Sequence, residues 1–123
     1  MEIGVFLNKL ILISSLVSFN AFSSGYLHAL GTGGEIDKYQ ILGQAGLVVW
    51  MKDNHPSNPD NCSEKKRVYI KSSMPQYQDM VGLIMAAHAQ GKKVGFWSSG
   101  CATNYFWGGS ATFPEVRDLW TAD

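Results

Sequence analysis

From residue 67 to residue 101 the spacing of apolar positions changes period twice. Arg67, Val68, Tyr69, Ile70 and Lys71 alternate, placing Val68 and Ile70 on one face, as in a half-buried strand. Ser72, Ser73, Met74 and Pro75 break the alternation, with Ser73 a candidate N-cap and Pro75 near a first helical position, where its missing donor costs nothing. The spacing then predicts a helix over about 75–90. Tyr77, Met80, Val81, Leu83, Ile84, Met85, Ala87 and His88 fall on an arc about 200° wide, and Gly82, Ala86 and Ala89 make the opposite face small. So wide an arc calls for two surfaces, one being the core and the other a loop or a neighbouring copy. Gly91, followed by Lys92 and Lys93, is a helix stop. Val94 to Trp97 reads as the next strand, with Val94 and Phe96 towards the helix and Trp97 on the far side.

Around this stretch the patterning is weaker. Residues 35–42 alternate through Ile36, Tyr39 and Ile41; Leu47 to Met51 is a continuous apolar run of central-strand type. Residues 52–66, with two prolines and three asparagines, read as an exposed loop, and 114–121 as a final strand. Residues 24–34 are glycine-rich and suit either a frayed arm or a first strand. The expected fold class is α+β: a small OB-like Greek-key β-barrel of four to five strands, with the one helix between the third and fourth.

Residues 10–22 are apolar but too short to span a bilayer comfortably, and Ala21 and Ser23 supply small residues at cleavage spacing. Residues 1–23 therefore read as a signal peptide, leaving 24–123 as one domain; a membrane anchor is the other reading, and no stop-transfer pattern follows. A secreted or periplasmic location, with no membrane insertion after cleavage, is the expectation. Without the leader, nine basic residues balance nine acidic ones, which argues against a nucleic-acid partner. Cys62 and Cys101 are the only cysteines. Two buried thiols or a disulfide both fit them, and the oxidising compartment implied by the leader favours the disulfide.

Tyr77-Gln78-Asp79-Met80 opening a helix that stops at Gly91, then Val94-Gly95-Phe96-Trp97-Ser98 and a cysteine, resembles the second half of the B subunits of pertussis-type and subtilase-type AB5 toxins. The likeness spans residues 68–101, about a third of the chain beyond the leader. It implies an OB-like barrel, a homo-oligomer (pentamer) with its helices around a central pore, and a cell-surface glycan as ligand. The glycan-contacting positions of those toxins lie in early strands that do not align here, so no sugar-binding residue is carried over.

For chemistry, the chain offers little of catalytic pattern. His28, His55 and His88 are scattered; His88 on the apolar helix face reads as a core residue. No four-ligand metal spacing, nucleophile elbow or phosphate-binding glycine loop is present, and Glu35, Asp37, Glu115 and Asp118 read as solvated strand charges. A non-catalytic protein without cofactor or metal is expected. The candidate site is Thr103, Asn104, Tyr105, Phe106 and Trp107: three adjacent aromatics before two glycines either close the end of the barrel or form a binding platform, joined by Trp50 or Trp97. Under the first of these the protein is a structural or protein-interaction module; under the second it binds a glycan.

Overall fold

The computed structural model describes residues 24–123; the proposed signal peptide lies outside the described residues. Six strands, β1 (Gly25–Tyr26), β2 (Ile36–Ile41), β3 (Gly46–Met51), β4 (Arg67–Lys71), β5 (Lys93–Thr103) and β6 (Thr112–Ala122), surround one helix, α1 (Tyr77–Gln90). They form a mixed sheet in the order β1-β5-β6-β4-β3-β2. All pairings are antiparallel except β4 with β6, which run parallel with Tyr69 opposite Glu115. The fold class is α+β, as the periodicities imply. The strand count is six rather than four or five, because the 24–34 arm adds a two-residue strand against β5, which also places α1 between the fourth and fifth strands. The expected closure into a barrel is not made. Among the described residues, one isolated bridge joins Gly34, just before β2, to Val94 of β5, with both N–H···O distances 2.9 Å.

The helix stops where expected. Gly91 is left-handed (φ 68°), the N–H of Lys92 reaches the carbonyl of Ala87 at 2.9 Å, and the Gly91 N–H reaches that of His88 at 3.3 Å, closing two of the four orphan acceptors. Its start differs: Gln76 occupies the cap position without a side-chain bond, and Ser73 caps nothing. Two turns intervene, Met74 N–H to Lys71 O and Tyr77 N–H to Met74 O, and these absorb the residues around Pro75. Met80, Ile84 and Ala87 are buried. Tyr77, Val81 and Leu83 pack at the margins, while Met85 is 45% exposed. The broad apolar arc is thus covered only along its centre. His88 is not a core residue: it is exposed, its Nε2 is 3.2 Å from the Asp37 carbonyl, and its ring meets Tyr39 edge-on.

Two clusters lie on opposite faces of the sheet. The larger packs Leu47, Val49, Val68, Ile70, Val94, Phe96 and Val116 under α1. The smaller gathers Val48, Tyr69, Ala102 and Phe113, with Trp50 and Phe106 against them. β3 is therefore apolar on both sides, which accounts for its unbroken run, and β4 is not half-buried: Tyr69, between Val68 and Ile70, is buried on the far face. At Gly95, a Cβ would collide with the Trp120 indole and the Thr32 carbonyl, so only glycine lets the arm and the final strand approach β5 there.

Cys62 and Cys101 are disulfide-bonded, with Cα atoms 5.6 Å apart. The two strands that flank them in the chain are not neighbours. β6 lies between them, parallel to β4 and antiparallel to β5, so β5 runs against β4 and its end returns to the loop where β4 begins. Asp60 ties the same junction, accepting from Ser98 Oγ at 2.7 Å and from the Gly100 N–H at 2.9 Å.

Candidate functional site

The five residues singled out by sequence lie together where β5 ends and the chain turns back to β6, but they face different ways. Asn104 closes the turn: its Nδ2 donates to the Gly108 carbonyl at 3.0 Å, and the Gly108 N–H returns to the Asn104 carbonyl at 2.8 Å. Phe106 points inward, stacked on Tyr69 with ring centroids 4.9 Å apart and edge-on to Phe113. Trp107, 39% exposed, leans on Trp50 at 5.6 Å, and the Arg67 guanidinium lies 5.5 Å from its ring and 4.8 Å from that of Phe113. Thr103 and Tyr105 remain, and both line an open cleft of about 490 Å³.

The cleft draws its other polar groups from distant parts of the chain. Lys71 and Ser72 come from the end of β4, Glu115 from β6 and Gln44 from the turn before β3. Lys71 Nζ and a Glu115 carboxylate oxygen are 3.0 Å apart, so the charge on this wall is balanced. The Ser72 hydroxyl donates to the Gln44 carbonyl. Sequence reasoning missed Lys71, Ser72 and Glu115 as site residues, since only the parallel pairing of β4 with β6 brings them together.

Two phenols fix the orientation of the exposed ring. Tyr69 Oη lies 2.5 Å from the Ala45 carbonyl and 2.8 Å from Tyr105 Oη. A carbonyl can only accept, so the Tyr69 proton goes to Ala45 and Tyr105 is the donor to Tyr69. Burial, and then the bond with Tyr105, push the Tyr69 phenol upward, so it stays neutral and keeps its proton on Ala45. Tyr105, 67% exposed, is pinned at its hydroxyl, and its ring meets Tyr69 and Phe106 in T-shaped contacts with centroids 6.5 and 5.2 Å apart.

The remaining candidate platforms are covered by the protein's own cations. Arg117 lies 3.6 Å from the centre of the Trp97 ring, and Lys38 and Arg67 lie 5.2 and 5.8 Å from that of Trp50. Glu35, Glu115 and Asp118 are each paired with a cation, Lys52, Lys71 and Arg117 respectively. Among the described residues, no three of His, Cys, Asp and Glu are grouped to hold a metal ion, and no helix is long and apolar enough to cross a membrane. The arrangement at Tyr105 suits a hydroxyl-rich ligand: an aromatic face beside donors and acceptors of balanced charge. Comparison with protein-family models, curated proteins and solved structures finds no match to this chain.

Proposed function

We propose that this is a non-catalytic, exported binding protein that holds a glycan in the cleft between Tyr105 and the Lys71–Glu115 pair. The observation that carries the reading is the exposed Tyr105 ring, fixed through its hydroxyl and set beside Lys71, Ser72, Thr103 and Glu115. The C–H face of a sugar ring packs on such a surface while its hydroxyls meet the polar wall. The OB-like reading draws support from the sheet order, from the parallel β4–β6 pair and from the Gly34–Val94 bridge across the open seam. The disulfide is compatible with export. A ring of copies, like that of the AB5 B subunits, would cover Met85 and the half-buried Val81 on α1.

Binding to immobilised glycans, followed by NMR titration of any hit, tests this. Tyr105→Ala is expected to weaken binding about fivefold, from loss of one aromatic contact of about 1 kcal/mol. Unchanged affinity in the variant, or no glycan bound at millimolar concentration, would refute the reading.

A second reading has its own observation. Phe106 and Trp107 pack on Tyr69, Trp50 and Phe113, which is what a structural or protein-interaction module needs from a loop that completes a small core. Under that reading Tyr105→Ala changes no ligand affinity, and a protein partner takes the place of the glycan.

A further inference from the structure

Away from the cleft, two imidazoles are buried against each other. His28 follows Leu27 in the arm and His55 lies in the 52–66 loop; they are 3% and 8% exposed, with ring centroids 6.0 Å apart. His28 also packs on Phe96 at 5.8 Å. Residues 52–66 read from sequence as an exposed loop, and the burial of His55 within it is a departure that the sequence does not signal.

The hydrogen-bonding of the pair is incomplete. His55 Nε2 lies 3.2 Å from the Arg67 carbonyl, which can only accept, so Nε2 carries the proton and a neutral ring has a bare Nδ1. Neither His55 Nδ1 nor His28 Nδ1 has a partner among the described residues. Protonation at Nδ1 of His55 would bury an N–H and a charge with nothing to receive them.

The neighbouring charges do not compensate. From the loop, Glu64 is paired with Arg67 of β4, Asp60 is bound by Ser98 and Gly100, and Lys52 is held by Glu35, which directly precedes β2. Asp53, Lys65, Lys66 and, on β5, Lys93 are exposed at the surface. The two rings lie where the arm is clasped: the Leu27 N–H donates to the Phe96 carbonyl at 2.9 Å, and the Leu27 carbonyl accepts from the Ser57 N–H at 3.2 Å.

We propose that His28 and His55 form an acid-operated latch, in which charging either ring releases residues 25–34 from the 52–66 loop and from β5. Above pH 6.5 both rings are neutral and the clasp stays shut. Burial holds His28 down at about 4, with the neighbouring His55 adding to it, and burial lowers His55 too, against the opposing bond to Arg67. In the open arm the rings recover the ordinary value of 6.5, so the open form takes up protons first and gains as pH falls from 6.5 towards 4.

Amide exchange by NMR on the full chain tests the latch. Protection factors of Leu27 and Ser57, corrected for intrinsic rates, are expected to drop about thirtyfold between pH 7.5 and pH 5, while Val49 in β3 keeps its own. The His28→Phe/His55→Gln variant, in which Gln retains a donor for the Arg67 carbonyl, is expected to lose that dependence. If the variant does not fold, imidazole titration of the wild type decides: a His28 midpoint near 4 and a His55 midpoint below 6.5 support the latch. Midpoints near 6.5, an unchanged clasp at pH 5, or equal loss of protection at Val49 would overturn it.

Discussion

Replacing both Cys62 and Cys101 by alanine removes a covalent link across 39 residues, a span that takes in all of β4 and α1 and most of β5. Loop-closure entropy for a segment of that length is worth about 4 kcal/mol at 25 °C. A domain of about 100 residues has roughly 5–15 kcal/mol to lose, so the loss should be plain in equilibrium unfolding. With a urea dependence of about 1–2 kcal/mol per molar for a chain of this size, the midpoint should fall by about 2–4 M. Tryptophan fluorescence in urea, on the oxidised wild type and the double variant, measures it. Alanine suits the test because Cys62 is buried and alanine places no polar group there. A loss below about 1 kcal/mol would refute the reasoning. It would mean that Asp60, through Ser98 and Gly100, already fixes the junction, or that the reduced unfolded chain keeps these segments together.

Tyr69→Phe removes the hydroxyl that serves Ala45 and Tyr105, and should cost about 1–2 kcal/mol in urea unfolding. The same substitution should weaken glycan binding in the Tyr105 cleft without touching any ligand directly, as the pinned ring becomes free to turn. For assembly, the mass of the oxidised 24–123 chain by light scattering is expected near five copies; a monomer would sink the ring and leave the Val81–Met85 flank of α1 to another partner.

Much of the architecture was legible where the signal is local. The alternation at 67–71, the apolar run at 47–51 and the Gly91 stop each depend on residues within one turn or one strand, and each falls where it was expected. The helix start was not, since Ser73 and Pro75 have cap chemistry but the backbone spends two turns before Tyr77. The site was legible by half. A cluster of aromatics before Gly108 and Gly109 announces a special loop, yet which ring faces out depends on Tyr69, far away in the chain, taking Phe106 as its stacking partner. Lys71 and Glu115 carry no local mark at all, because a parallel pair between strands so distant leaves no pattern in either.

The burial of β3 on both faces bears on how the sheet finds its alignment. A strand with one wet face resists slipping by a residue, because the slip would turn its apolar set into water. In Gly46-Leu47-Val48-Val49-Trp50-Met51 that penalty is weak, since either set of side chains would land in an apolar layer. The alignment must come from the end of the strand. There the Leu42 N–H closes on the Gly46 carbonyl at 2.7 Å, Gly46 leaves no room for a Cβ beside Ile70, and Tyr69 reaches back to Ala45. The turn before β3 acts as the index mark from which β3 and β4 are counted.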